Sequence, residues 1–237
     1  LLPAPPDTNR LWSEFSEADK AALAPELRPR HFERGELLLQ AEQYVSSLYF
    51  PVSTMISDVI VLADGRSSAV ASIGRDGAAG LSAFLAGART GWNIEVHVEG
   101  MGYVLPAATL RRRLDQSDGL RASLIAFNQW THIEAAQNAA CAAAAHPAVS
   151  RVARWLLTAQ DCTGSDVIVV SQEDVSKHLS LRRTTVTSAA ATLREAGACS
   201  YLRQRIRIES RDVLRSHACG CYEDLLRHRS RAGASDL

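Results

Sequence analysis

The tightest constraint in this 237-residue chain lies between Ser171 and Ile208. Ser171 suits a helix N-cap, and Asp174 three residues on makes a variant of the capping box. The helix so opened has Val175, His178 and Leu179 for a buried face, and Ser180-Leu181 is only long enough for a turn. A second helix follows, Arg182 to Glu195, with Val186, Ala189, Ala190 and Leu193 spaced as an inward stripe. Gly197 ends it. Two apolar segments, Ala198 to Leu202 and Ile206 to Glu209, then flank Arg203-Gln204-Arg205, a hairpin with a basic tip. Helix, tight turn, helix and hairpin together read as a winged helix-turn-helix.

The outward face of the second helix carries Arg182, Arg183, Thr184, Thr187 and Ser188, with Thr185 beside them. All lie in its first two turns, the part of a recognition helix that reaches base edges. Arginine can donate two parallel bonds to guanine, and Thr or Ser can bond several bases or touch a thymine methyl. Ser171, Lys177, Arg203 and Arg205 suit phosphate contacts, which position a protein without reading sequence. Formal net charge is zero, yet it is unevenly spread. Residues 1–146 hold 12 basic against 16 acidic side chains, and residues 147–237 hold 14 against 10. Within Lys177–Arg215 the count is 9 against 3, the electrostatic footprint of a phosphate-binding module. A basic second helix also occurs in winged helices that bind protein, so a regulatory adaptor is the alternative.

Residues 8–118 have a different texture. Short apolar segments at Leu37–Leu39, Ser47–Phe50, Ile56–Leu62, Ala69–Ile73, Ile94–Val98 and Tyr103–Leu105 are punctuated by turn residues. They predict a compact antiparallel β-domain, a sandwich or barrel, preceded by a short helix that Pro25 ends. A short helix closes at Leu110 and Leu114, and an alanine-rich helix runs from Leu120 to His146, giving a connecting segment over residues 119–146. On it Leu120, Leu124, Phe127, Thr131, Glu134, Asn138, Cys141 and Ala145 follow the alternating spacing of a helix–helix seam. Leu120, Leu124, Phe127, Thr131, Asn138 and Cys141 are therefore the expected dimer contacts, though a buried helix in a monomer has the same pattern. Residues 147–223 form the DNA-binding part, and 224–237 read as a frayed tail.

This order of parts resembles the CRP/FNR superfamily of bacterial regulators. The likeness spans about Trp12 to Tyr222 and is sharpest from Gln172 to Thr187, QEDVSKHLSLRRTTVT. Arg205-Ile206-Arg207-Ile208 is similar to the family's wing strand. The resemblance implies an α+β chain: an N-terminal β-roll sensor, a long dimerisation helix and a C-terminal winged helix-turn-helix. It also implies a homodimer with its recognition helices in two successive major grooves. The family's first base-reading arginine falls on Arg183, while Thr184 and Ser188 replace residues the best-known members carry, so the operator is expected to differ from theirs.

A cyclic-nucleotide pocket in that family needs a glutamate for the ribose hydroxyl and an arginine for the phosphate. Leu81 stands where the glutamate belongs, within Asp76-Gly77-Ala78-Ala79-Gly80-Leu81-Ser82, and Arg89-Thr90-Gly91-Trp92-Asn93 offers no clear Arg-Ser-Ala. A ribose hydroxyl without its acceptor and a buried phosphate without its arginine are both costly. Tight binding of cyclic AMP or cyclic GMP is therefore not expected, nor is any other cofactor. Arg75, Gly80, Leu81, Ser82, Arg89, Thr90 and Thr131 are the candidates for a different, anionic effector.

An iron–sulfur sensor needs about four cysteine ligands, in this family mostly near the N-terminus, and the first cysteine here is Cys141. Cys219-x-Cys221 could bind metal or sense oxidation, and His97 and His132 could meet as a haem or metal pair if the long helix packs on the roll. An unliganded pair and ordinary histidines are the expected readings, so no metal is expected. No hydrolase or zinc-protease motif and no phosphate-cradling glycine loop before a helix is present, which speaks against an enzyme. No apolar run approaches membrane-spanning length, and no signal-peptide pattern is visible. Five scattered cysteines suit a reducing, cytoplasmic setting. The expected partners are a palindromic duplex operator, a second copy of the chain and RNA polymerase, with no membrane.

Overall fold

Residues 6–232 are described by the computed structural model. Two short helices come first, α1 (Arg10–Ser13) and α2 (Glu17–Leu23), capped by Asn9 and Ser16. Seven strands follow: β1 (Arg28–Phe32), β2 (Leu37–Leu39), β3 (Ser47–Pro51), β4 (Met55–Val61), β5 (Ser67–Ile73), then helix α3 (Leu81–Ala86), then β6 (Asn93–Val98) and β7 (Gly100–Pro106). They pair antiparallel in two sheets, ordered β1-β7-β3 and β2-β6-β4-β5. Phe32 and Tyr49 from the first sheet share one core with Leu39, Ile56, Ile73, Ile94 and Val96 from the second, which closes the roll. Strand β6 alternates buried and half-buried residues along its length, as the pattern from Ile94 to Val98 requires.

The outer side of β3 and β7 is covered by apolar residues of both ends of the roll. Leu11, Trp12 and Phe15 pack with Leu48, Phe50, Tyr103 and Leu105, Trp12 meeting Phe50 edge-on at 5.7 Å. Helix α4 (Ala107–Leu114) and the start of α5 (Asp118–Ala143) complete this core through Leu110, Leu114, Leu120 and Leu124. Ser117 caps α5, so the long helix starts two residues before the expected Leu120 and ends three before His146.

The remaining elements are α6 (Ala148–Thr163), β8 (Val167–Val169), α7 (Gln172–Leu179), α8 (Arg183–Glu195), β9 (Cys199–Leu202), β10 (Arg205–Ile208), α9 (Arg211–His217) and α10 (Cys221–Ala232). The three strands form a small sheet, β8-β10-β9, behind the helices. The expected frayed tail is corrected over residues 224–232, which continue α10, with Leu225 buried; residues 233–237 lie outside the described part. Among the described residues no helix is long and apolar enough to cross a membrane.

This C-terminal part is docked on the roll. Its core takes in Met55 and Val98. Arg34, in the turn after β1, reaches Asp174 at 3.3 Å and donates to Gln204 Oε1 at 3.0 Å, touching both α7 and the wing. A Cβ on Gly74 would lie 2.2 Å from Cys162 Cα, so α6 sits directly on the end of β5.

Candidate nucleic-acid interface

The two helices of the motif are held as the sequence requires. The Ser171 hydroxyl accepts from the Asp174 amide at 3.1 Å, and Asp174 Oδ2 accepts from the Ser171 amide at 3.0 Å, a complete capping box. Ser180 takes φ of 51°, a left-handed turn residue, and the Leu181 amide donates back to Ser176 at 2.9 Å. Helix α8 then buries Val186, Ala189, Ala190 and Leu193, the stripe expected of it.

The opposite face of α8 is open. Arg182, Arg183, Thr184, Thr187 and Ser188 are exposed, and Thr185 is half-buried at their side. Arg182 serves as N-cap through its backbone alone, leaving its guanidinium free of that duty. The Thr187 hydroxyl bonds Gln172 Oε1 at 2.8 Å, which ties the reading face to the start of α7. Lys177 is exposed and paired along its own helix with Glu173 at 3.1 Å. In the wing, Arg203 takes φ of 54° at the tip, and Arg203, Arg205 and Arg207 all point outward. Arg207 belongs to this basic edge and was missed, although the alternation of β10 makes it the neighbour of Arg205 on one face. One assignment is corrected: the Ser171 hydroxyl is half-buried and committed to the cap, so Ser171 positions α7 rather than facing a ligand.

The six expected dimer contacts are corrected too, because the chain's own roll occupies that side of α5. Leu120 and Leu124 are fully buried beneath the N-terminal helices. Phe127 packs on both cores of the roll and lies so close to Gly77 that a Cβ there would overlap its ring. Thr131 turns toward the roll, Asn138 donates to the Val70 carbonyl at 2.8 Å, and Cys141 is buried near Cys219. The exposed side carries Ala122, Ile125, Gln129, His132, Ala136, Ala139 and Ala143, also in alternating three-and-four spacing, with Ile125 53% exposed.

The candidate effector residues divide. Gly80, Leu81, Ser82, Thr90 and Thr131 do line one cleft, with Asp58, Trp92 and Asn128. Gly80 opens α3 at φ of 89°, a conformation only glycine adopts cheaply. Arg75 and Arg89 are not there. Arg75 lies against Gly164 at the end of α6, and Arg89 donates to the Glu42 carbonyl at 3.0 Å and stacks on Tyr44. No arginine lines this cleft among the described residues, and its buried acid is Asp58, which desolvation pushes up to about 7.

Two further groupings arise only from the fold. His97 meets His178 of α7, not His132, with ring centroids 4.4 Å apart across the joint between roll and helix-turn-helix. Burial there pushes His97 down to about 4 and holds His178 well below its ordinary range. And Cys141, His146, Cys219 and Cys221 converge, their ligand atoms all within 4.8 Å of one another, a grouping that the spacing of Cys219 and Cys221 alone does not show.

The comparisons fit this geometry. The Crp-like helix-turn-helix domain family matches residues 150–217. Solved structures with the same fold include a transcriptional regulator assigned to the Crp/Fnr family from Eubacterium rectale, 16% identical over 89% of this chain and 98% of that one, with a TM-score of 0.65. FixK2 from Bradyrhizobium japonicum is 17% identical, covering 81% and 98%, at 0.68. A CRP-family transcriptional regulator from Thermus thermophilus is 19% identical, covering 80% and 96%, at 0.63. No curated protein matches the sequence.

Proposed function

Because the chain carries a Crp-like helix-turn-helix domain on the fold of CRP/FNR-family regulators, we propose that it is a sequence-specific DNA-binding regulator acting as a homodimer on a palindromic operator. The observation that carries this reading is the open first two turns of α8, where Arg183, Thr184, Thr187 and Ser188 project together. Arg183 supplies base specificity, and Lys177, Arg203, Arg205 and Arg207 hold phosphates on either side. The dimer forms along the exposed seam of α5, where Ala122, Ala136, Ala139 and Ala143 let a second helix come close and Ile125 gains burial. That arrangement sets two recognition helices about 34 Å apart, one turn of DNA. The dimer works in the cytoplasm, with RNA polymerase as its partner on the promoter.

The sensor is not built for a cyclic mononucleotide. A phosphate in the cleft would face Asp58 and Leu81 instead of an arginine and a glutamate. Calorimetry should find no submicromolar binding of cyclic AMP or cyclic GMP, and any effector is of another chemistry.

Selection on random duplexes tests the main reading. An enriched palindrome is expected, and Arg183→Ala should then weaken that site by about 1–3 kcal/mol while leaving random DNA nearly untouched. Lys177→Ala should weaken both alike and lower the salt slope by about one. No enriched site would favour the protein-binding adaptor.

A further inference from the structure

Helix α5 stops at Ala143, and the chain turns sharply: Ala145 takes φ of 52°, a left-handed conformation costly for alanine. The turn folds His146 back on the helix end, its amide donating to the Cys141 carbonyl at 3.4 Å and its Nδ1 lying 3.3 Å from Cys141 Sγ. From the other end of the C-terminal part, the short step Cys219-Gly220-Cys221 enters α10 and brings two more thiols to the same point. Cys219 Sγ lies 3.7 Å from Cys141 Sγ, and Cys221 Sγ lies 3.5 Å from His146 Nδ1.

These separations match one ion's coordination shell. Tetrahedral zinc with bonds of about 2.3 Å to sulfur and about 2.0 Å to nitrogen sets sulfurs about 3.8 Å apart, and sulfur and nitrogen about 3.5 Å apart. Ligand atoms all within 4.8 Å enclose a single ion. Three thiolates and an imidazole fill all four positions, the donor set of a structural site rather than an open catalytic one. Such a site bears one net negative charge. Arg151 and Arg154 of α6 lie near enough to act on these thiols and offset it.

We propose that Cys141, His146, Cys219 and Cys221 bind one structural zinc ion, which ties the end of the long helix to the C-terminal helix of the DNA-binding part. The joint between α5 and α6 is only Ala144 to Pro147, and His146 within it is one of the four ligands. Zinc therefore fixes the angle at which α6, and with it α8, leaves the long helix. The binding itself stands apart from the DNA reading; its effect on DNA affinity rests on that reading.

The test uses the full chain, purified reduced from zinc-supplemented cells. Elemental analysis should give about one zinc per chain, and the cobalt(II)-exchanged protein should show tetrahedral d–d bands with thiolate charge transfer. Cys219→Ser and His146→Ala should each lose at least tenfold in zinc affinity, while Cys199→Ala, whose thiol lies in the helix-turn-helix core, should keep it. A zinc chelator should lower the Tm of the parent chain but not of Cys219→Ser. Metal-free protein that takes up neither zinc nor cobalt overturns the proposal. So does equal metal uptake by Cys219→Ser and His146→Ala, or a Cys141–Cys219 disulfide as the sole state under reducing conditions. Stripping zinc should weaken operator binding at least fivefold. Unchanged affinity after stripping would refute the clasp's hold on α8, with the zinc site itself upheld by the metal analysis. Absence of any operator with zinc in place would instead refute the regulator.

Discussion

Glu134 sits inside α5 on the side that faces the roll, buried, with Oε1 accepting from the Ser72 amide at 3.2 Å. Desolvation outweighs that bond and the nearby Arg154, and raises the carboxyl from its ordinary 4.5 to about 7. Between those two values the folded chain holds a proton that the unfolded chain has released, so stability falls as pH rises. At about 1.36 kcal/mol per pH unit the gap is worth about 3 kcal/mol, fully present below pH 4.5 and lost above pH 7. Asp58, itself raised to about 7 by burial, adds repulsion in the same direction to the value at Glu134. Glu134→Gln keeps an acceptor for Ser72 and removes the charge. Urea unfolding followed by circular dichroism should find the variant close to the parent at pH 5 and about 3 kcal/mol more stable at pH 8, with the same m-value. A stability difference that is the same at both pH values would refute the argument, because it would mean that Glu134 does not titrate in the folded chain between them.

Ser171→Ala removes the cap of α7 and should cost about 1 kcal/mol in a thermal melt, with no separate loss of DNA specificity. Gly74→Ala sets a methyl 2.2 Å from the Cys162 backbone and should cost about 1–3 kcal/mol, with faster proteolysis between roll and α6 as the sign that the joint has opened. Ile125→Glu, at an exposed position of the single chain, should leave its melting behaviour intact at low concentration while sedimentation shows a monomer; a dimer that persists would place the seam elsewhere.

The winged helix-turn-helix was legible because its signals are local. A capping box, a left-handed turn residue and an inward stripe each act within a few residues, and α7, α8 and their buried faces lie where those signals put them. Six of the seven roll strands were legible from their apolar segments. Strand β1 was not, because Arg28-Pro29-Arg30-His31-Phe32 buries only Phe32 and shows no alternation of hydrophobicity. The cysteine cluster was beyond reach for a different reason: Cys141 and Cys219 are 78 residues apart, and only the return of α10 against α5 joins them. Arg75 and Arg89 lie outside the cleft because an arginine in a sequence has no address: Arg75 ends against Gly164, and Arg89 on the Glu42 carbonyl.

The long helix shows how a correct period can still give the wrong face. In α5 the residues Leu120, Leu124, Phe127, Thr131, Glu134, Asn138 and Cys141 keep coiled-coil spacing, and so do Ala122, Ile125, Gln129, His132, Ala136, Ala139 and Ala143 on the other side. The larger apolar residues mark the first set, and hydrophobicity alone would send it to a partner helix. But Glu134 and Asn138 on that set need polar partners where they are covered, and the Ser72 amide and Val70 carbonyl of β5, with Arg154 of α6, supply them. These bonds act together with the burial of Leu120 and Leu124 beneath the N-terminal helices to turn this face of α5 toward its own chain. What is left outside is small and nearly flat, and small residues are what allow two helix backbones to approach. The exposed alanines are then the part of α5 that a second chain can use.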